Sequence, residues 1–432
     1  MYRKTILFLM AIIMLITISG LEDKAFSESD SHDTPQFLHC NNTDICDKEG
    51  KPVLLRGIGL GGWLVPEGYM LHTPQQSPSE IRRAIVALIG ENRTEEFYRC
   101  YEDNFYTEAD IKVFASWGLN SIRLPFNAKM FWDLEKNAFD ESGFNRIDQL
   151  LGWCKKYQLY LILDMHCALG GQNALNISDS DGKARLWSEP KRYQSPTIEV
   201  WRRIAQRYGN EFWIGGYDLL NEPVLFANKK KLRELYIRIT KAIREVDSNH
   251  IIFIEGNWWP TNYFKGEYGA DFRELLPPWD DNMVYSFHKY FDKNSVESIK
   301  TYLEIREKAN VPLWMGETGE NSNHWISSLI KILEDNRIGW SFWAPKKLEN
   351  VSNAYSAYIP QKYQRILDYW NGRASKPSAE EASDGLFEMA KNLTLSSCRF
   401  YPDVVAALTD QEFSFTLYVL NGSFEISQII IE

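Results

Sequence analysis

Six cysteines in 432 residues are few, and none is spaced to hold a metal. The chain has no C-x-x-C pair and no H-E-x-x-H, the spacings that bring thiolates or imidazoles onto one ion. No metal is implied, and no motif calls for a cofactor. Basic charge is scarce as well, with 48 Lys and Arg against 58 Asp and Glu and a net of −10. Such a chain is repelled by nucleic acid and by anionic lipid, so its partners are expected to be neutral. Long apolar runs are absent except near the start, where 11 residues from Ile6 to Ile16 follow Arg3 and Lys4 and precede the small pair Ser19 and Gly20. A bilayer needs about 20 apolar residues. The run therefore reads as the core of a secretory signal peptide over residues 1–20, with an uncleaved anchor as the alternative. Without Arg3 and Lys4 the 48 basic residues become 46 against 58 acidic, a net of −12, on a chain expected to be secreted or extracytoplasmic, monomeric, and without a membrane span.

What is abundant is aromatic: 14% of the residues, including 15 Trp and 22 Tyr. Amphipathic rings stack on the apolar faces of sugars, or they fill a core rich in aromatics. Cys40 and Cys46 bracket the polar loop HCNNTDICD, so a local disulfide is expected in an oxidising compartment. Cys154 and Cys167 sit in apolar surroundings and read as buried thiols.

Short strand-like runs recur along the chain at LLRGIGL (54–60), SIRLPF (121–126), LYLILDMH (159–166), GYDLLNE (216–222), IIFIEG (251–256), MVYSFHKY (283–290), VPLWMGE (311–317) and IGWSFWA (338–344). Between them lie stretches with apolar residues three and four apart: TEADIKVFASWG, FNRIDQLLGWCKKY, IEVWRRIAQRYG, KKLRELYIRITKAIREV, SVESIKTYLEIREKA and HWISSLIKILEDN. That period is helical. Eight strands alternating with helices predict an α/β fold, the (β/α)8 TIM barrel, with a doubly wound open sheet as the weaker reading. The barrel domain is expected over 34–408, with a small hairpin over Thr34 to Lys51 closing its bottom. From about Ser375 the chain turns polar and small, and LFEMAKNLTL then reads as a short helix. Apolar and polar residues alternate on both sides of Asn421 and Gly422, which predicts a separate C-terminal hairpin over 409–432.

A barrel builds its active site at the carboxyl ends of its strands. The residues that end these runs are Arg123, His166, Asn221, Glu222, His288, Tyr290, Glu317 and Trp343. Glu222 and Glu317, on strands 4 and 7, would face each other across the mouth. Two carboxylates about 5 to 5.5 Å apart define a retaining glycosidase, in which one attacks and the other protonates the leaving oxygen. Arg123 and Tyr290 are placed to hold Glu317 ionised as the nucleophile. Asn221 suits the sugar 2-hydroxyl, and burial with a neighbouring negative charge would keep Glu222 protonated as the acid/base. Each of these residues alone fits a structural role equally well, and it is their placement at successive strand ends that favours chemistry.

At RLPF, DMH, LLNEP, FHKY, GETG and FW the sequence resembles glycoside hydrolase family 5, the cellulase-like retaining enzymes, from about Val53 to Leu408. The resemblance implies Glu222 as acid/base and Glu317 as nucleophile, with Arg123, His166, Asn221, His288, Tyr290 and Trp343 lining the −1 sugar site and Trp343 as its stacking platform. LGGWLVPEGY, residues 60–69, is similar to the opening of the exo-β-1,3-glucanase branch, which implies Glu67 as a further −1 ligand. Departures from that branch are Leu169, Gly171 and Ala174 in the strand 3 loop, where Pro, Ser and Gly are usual, and Pro345 at a position usually aromatic. The expected function is a retaining hydrolase of β-glucans or β-glucosides, acting from the chain end as a glucan 1,3-β-glucosidase. An endo-β-1,4-glucanase with an open cleft is the alternative enzyme. A barrel that binds carbohydrate without cleaving it is the alternative from another class.

Overall fold

Strands that are apolar on both faces need a sheet covered on both sides, and a closed barrel ringed by helices provides it. The computed structural model describes residues 37–226, 229–261, 272–409, 413–420 and 423–431. The expected signal peptide, residues 1–20, lies outside them. Eight parallel strands, β1 (Arg56–Gly59), β2 (Ser121–Asn127), β3 (Tyr160–Cys167), β4 (Ile214–Asp218), β5 (Ile251–Glu255), β6 (Met283–His288), β7 (Leu313–Gly319) and β8 (Gly339–Trp343), pair in sequence order. β8 returns to β1 through Trp340 beside Arg56 and Trp343 beside Gly59, which closes the (β/α)8 barrel. All residues of β2 and of β4 to β8 are buried.

The periodic stretches form the outer helices Glu108–Ser116, Phe144–Tyr157, Pro190–Tyr208, Lys230–Arg244, Val296–Ala309 and Asn323–Asp335. Each presents one apolar stripe to the barrel. In Lys230–Arg244 that stripe is Leu232, Leu235, Tyr236, Ile239 and Ile243, all buried. Truncating one such residue, as in Leu235→Ala, costs about 2–5 kcal/mol because the cavity refills only in part. Between β5 and β6 the described residues hold the 3-10 turn Phe272–Leu275 and no α-helix.

Two helices between β1 and β2, Pro78–Ile89 and Glu91–Phe105, were not apparent from periodicity. The first begins at a capping box in which Ser77 and Glu80 exchange hydrogen bonds, with proline in its first turn. The second packs against a C-terminal helix, with Arg93 Nε 2.8 Å from Ser383 Oγ and Phe97 edge-on to Phe387. That C-terminal helix corrects the sequence reading, since it spans Ala379–Lys391 and so starts inside the stretch read as a polar connection. Its signal was another capping box, Ser378 with Glu381.

At the amino-terminal end of the barrel a short hairpin pairs His39–Asn41 with Asp44–Cys46. Its Leu38 and Ile45 pack with Ile251, Phe253, Val284 and Trp314 inside the strands. The expected Cys40–Cys46 disulfide is not formed, and both thiols are free. The register explains why: Cys46 pairs with His39 and Cys40 with Ile45, one residue out of step. Successive residues of a strand point to opposite faces, so the two sulfurs are on different sides of the hairpin. Cys154 and Cys167 are buried thiols, as expected. At the other terminus Phe413–Leu420 and Ser423–Ile431 pair antiparallel as a sheet of their own. No helix among the described residues is long and apolar enough to cross a membrane.

Candidate active site

Arg123 is a cation with no exposed surface, inside the barrel on β2. Burying a lone guanidinium costs several kcal/mol, so its partners decide whether the strand tolerates it. It has five. The guanidinium reaches Asp164 at 3.1 Å, Asp218 at 3.0 Å, Glu255 at 3.3 Å, Glu317 at 2.5 Å and the Asn221 side-chain oxygen at 2.8 Å. Burial works against its charge, and the surrounding carboxylates outweigh burial.

Asp164, Asp218 and Glu255 were missed as parts of the site by sequence reasoning. Their signal was a charge inside an apolar strand: LILDMH, GGYDLL and IIFIEG. A buried charged residue is more informative than any exposed one. One arginine cannot balance four carboxylates, and two histidines add to the positive side. His288 Nδ1 lies 2.8 Å from Glu222 Oε1 and its Nε2 3.1 Å from Glu255 Oε1. Burial lowers its pKa, but Glu255 and Glu317 raise it more, which favours the charged ring. His166 Nδ1 lies 2.8 Å from Asp164 Oδ2; burial again opposes the charge, and Asp164 and Glu317 lift the pKa to about 9. Asp218 moves the other way: desolvation, only partly offset by Arg123, raises it well above its ordinary value.

The two glutamates are thereby driven apart. Glu317 is almost fully buried, which on its own would raise its pKa, yet His288, Arg123, His166 and a 2.7 Å hydrogen bond from Tyr290 hold it down to about 2. Glu222 is raised, by burial first, an effect that His288 opposes and the charges of Glu317 and Glu255 reinforce. A carboxylate oxygen of Glu222 and one of Glu317 lie within 4.8 Å of each other. One carboxylate held down and one raised, with oxygens this close, are equipped for a retaining displacement.

Strand 4 does not end where the sequence placed it. β4 stops at Asp218, and Glu222 lies four residues on, at φ 46°. The left-handed region costs a branched-chain or long residue about 1–2 kcal/mol, so the turn must be held from outside. Glu255 Oε2 accepts the Glu222 backbone N–H at 2.6 Å, Asn173 Nδ2 donates to the Glu222 carbonyl at 2.9 Å, and Gln172 Nε2 donates to the Asn221 carbonyl at 2.8 Å. Gln172 is itself fixed by His166 O and Ala168 N. The loop after β3 thus fixes the backbone at Asn221 and Glu222. Its Gly171, at φ 77°, occupies a conformation that a serine would adopt only with strain, which accounts for that departure from the exo-glucanase pattern.

A cavity of about 550 Å³ opens above these groups. Of the residues expected from sequence, Glu67, His166, Asn221, Glu222, His288, Tyr290, Glu317 and Trp343 line it, and Arg123 lies beneath. The Trp343 ring is parallel to His166 at 5.3 Å, and a Cβ on Gly59 or Gly61 would come within 2.8 Å of it. Trp343 Nε1 donates to Tyr69 Oη at 3.1 Å. Burial raises Glu67 to about 7, an effect that His166 and Lys347 oppose. Tyr69, Trp259, Phe291 and Glu320 also line the cavity and were not singled out from sequence, because they lie outside the strand-like runs whose last polar residues were read as the site. Two triplets, Asp164–His166–Glu317 and Glu222–His288–Glu317, have ligand atoms within 4.8 Å of one another. In both, Glu317 is already engaged by Arg123 and Tyr290, so neither offers a free set of donors.

Comparison with known proteins agrees with this geometry. The chain is 27% identical to a β-xylosidase of Phanerodontia chrysosporium, over 91% of this chain and 90% of that one. It is 27% identical to endoglucanase C of Acetivibrio thermocellus, over 72% of this chain and 97% of that one. It is 26% identical to glucan 1,3-β-glucosidase 2 of Candida albicans, over 62% of this chain and 63% of that one. The family profile for cellulase, glycosyl hydrolase family 5, matches residues 87–348, a span that includes both Glu222 and Glu317. The chain belongs to the cellulase family of glycosyl hydrolases, family 5.

Proposed function

We propose that this protein is a retaining exo-β-glucanase that releases glucose from the non-reducing end of β-1,3-linked glucan, with Glu317 as nucleophile and Glu222 as acid/base. The observation that carries the reading is the pair itself: two carboxylates with oxygens within 4.8 Å, one held down to about 2 and the other raised. In the first half-reaction a Glu317 oxygen bonds to the anomeric carbon as the bond from that carbon to the leaving oxygen breaks. The Glu222 proton passes to the leaving oxygen, which departs as an alcohol. Glu317 is then an ester and carries no charge, so one of the influences that raised Glu222 is gone. Glu222 takes a proton from water as that water attacks the anomeric carbon, and the Glu317–sugar bond breaks to return both groups to their starting state. Arg123 and Tyr290 hold the Glu317 carboxylate before attack, and Asn221 offers its amide to the 2-hydroxyl.

End-wise action on β-1,3-glucan is supported by the LGGWLVPEGY stretch that brings buried Glu67 into the cavity, and by the likeness to the Candida albicans glucan 1,3-β-glucosidase. The apolar run at Ile6 to Ile16 supports secretion as the route to such a substrate. Incubation with 2,4-dinitrophenyl 2-deoxy-2-fluoro-β-D-glucoside should leave a glycosyl group on Glu317, located by peptide mass spectrometry. A label elsewhere overturns the nucleophile. Early products from β-1,3-glucan and soluble cellulose offered side by side then test the linkage. Glucose alone from the β-1,3-glucan is expected, whereas an oligosaccharide ladder from cellulose would make the protein an endoglucanase with the same two glutamates.

A further inference from the structure

The cavity has two unlike sides. Strand order places β3 and β5 on either side of β4, so the loops after them flank Glu222 and face the leaving group. These loops and the one after β6 bring Leu175, Ile177, Trp259, Thr261 and Phe291 to the cavity wall. Of these, the threonine hydroxyl and the tryptophan indole N–H are the side-chain polar groups. The acidic lining residues Glu67, Glu317 and Glu320 belong instead to β7 and to the loops after β1 and β7. Large apolar side chains that gather in exposed loops mark a binding surface. Leu175 is 44% exposed, Phe291 54%, and Phe226, after β4, 76%. Phe226 meets the Trp258 ring edge-on at 4.8 Å, and Trp258 lies 5.7 Å from Trp259, so a row of rings runs from the cavity wall to solvent.

The backbone under this row is strained. Trp258 and Trp259 are consecutive left-handed residues, at φ 65° and 53°. Strain of this kind concentrates where a ligand is held, and it persists only where the surroundings fix it. Here the Trp258 N–H donates to the Pro223 carbonyl at 3.0 Å, and Asn257 exchanges hydrogen bonds of 2.7 and 2.9 Å with the Leu225 backbone. The rings are thereby tied to the segment that carries the acid. A sugar leaving group brings several hydroxyls, and each one buried without a partner weakens binding. An alkyl chain has none to satisfy and gains from every methylene it buries. We propose that this protein also hydrolyses β-glucosides of apolar alcohols, the leaving alkyl chain being held by Leu175, Ile177, Trp259 and Phe291. The inference rests on the assignment of Glu222 as the leaving-group acid, and it adds a second class of leaving group to the glucan end proposed above. The bond that breaks joins the anomeric carbon to the alcohol oxygen. That oxygen takes the Glu222 proton as the sugar passes to Glu317, and water then supplies the hydroxyl that the sugar keeps and the proton that returns to Glu222.

The test varies the leaving group in the full-length protein. Methyl, hexyl and octyl β-D-glucosides, below the concentrations at which they form micelles, and laminaribiose are compared for kcat/KM in wild type, Leu175→Ser and Phe291→Ser. The alkyl leaving groups differ little in basicity, so chain length reads burial. A fully buried methylene corresponds to about a four-fold gain, and with part of the chain buried hexyl should exceed methyl by at least about ten-fold. Each variant should lower the hexyl-to-methyl ratio by about three-fold or more, and should lower kcat/KM on laminaribiose by less. Equal values on methyl and hexyl in wild type overturn the proposal, and that comparison needs no variant to fold. Both variants keeping the wild-type ratio overturn it as well. So does an equal fall on laminaribiose, which would assign the wall to a sugar. A wild type that takes the fluoroglucosyl label on Glu317 but is indifferent to chain length loses this inference alone. One that hydrolyses none of the glucosides and takes no label overturns the functional reading, and the inference with it.

Discussion

Removing one oxygen from Tyr290 tests the electrostatic argument most directly. In Tyr290→Phe the ring stays and the 2.7 Å hydrogen bond to Glu317 Oε2 is lost. A hydrogen bond to a charged group contributes about 1.5–3 kcal/mol, and one pKa unit corresponds to about 1.4 kcal/mol. The nucleophile should therefore rise by about one to two units from its present value of about 2. At neutral pH Glu317 stays ionised in the variant, so the plateau of kcat/KM falls only by the loss of orientation. The acid limb moves. It should shift up by about one to two pH units on an aryl β-glucoside, assayed between pH 2 and 8 with each sample returned to neutrality to correct for irreversible unfolding. The stability consequence has a definite sign. Glu317 is depressed from 4.5 to about 2, so its stabilisation is present above pH 4.5 and is lost as pH falls towards 2. That contribution is of order 3 kcal/mol in the wild type, and the variant should keep about half or less. An acid limb that stays in place while the variant remains folded would refute the claim that Tyr290 holds the charged nucleophile.

Other outcomes follow from the same structure. Glu222→Gln should slow glycosides with poor leaving groups by about 10²–10⁴-fold while sparing dinitrophenyl glycosides, which need no proton; equal losses on both would remove Glu222 as the acid. Gly171→Ser puts a side chain at φ 77° with its Cβ 3.0 Å from Ser180 Cβ, and it should cost about 1–2 kcal/mol, read as a lower midpoint in denaturant. An unchanged midpoint would show that the loop tolerates the branch residue. Because Cys40 and Cys46 point to opposite faces of their hairpin, dithiothreitol should leave the thermal midpoint unchanged, and a drop would show a disulfide.

The likeness to relatives of different specificity locates where substrate choice resides. A β-xylosidase and an endoglucanase are each 27% identical to this chain, and in this chain Arg123, Tyr290 and His288 contact the Glu317 carboxylate rather than a position open to sugar substituents. Discrimination must come from the loops after the strands. Here those loops contribute Glu67 and Tyr69 after β1, Trp259 after β5 and Glu320 after β7.

The sequence by itself determined the barrel and which polar residues its strands carry to the cavity. Eight apolar runs of strand length separated by helical periods leave few ways to cover every face, and a barrel places their last polar residues on one rim. Local signals were enough wherever a residue's position follows from its place on a strand: Glu317 near the end of β7, His166 near the end of β3. Tertiary structure decided what depends on groups distant in the chain. Asp164, Asp218 and Glu255 become parts of the site only because closure of the barrel brings them onto Arg123. Glu222 lies beyond its strand in a left-handed conformation, where the Glu255 carboxylate and the Gln172–Asn173 loop hold its backbone. The pKa values of the two glutamates were likewise beyond the sequence. A sequence shows which groups can ionise, but the balance of burial against neighbouring charge depends on distances across the barrel.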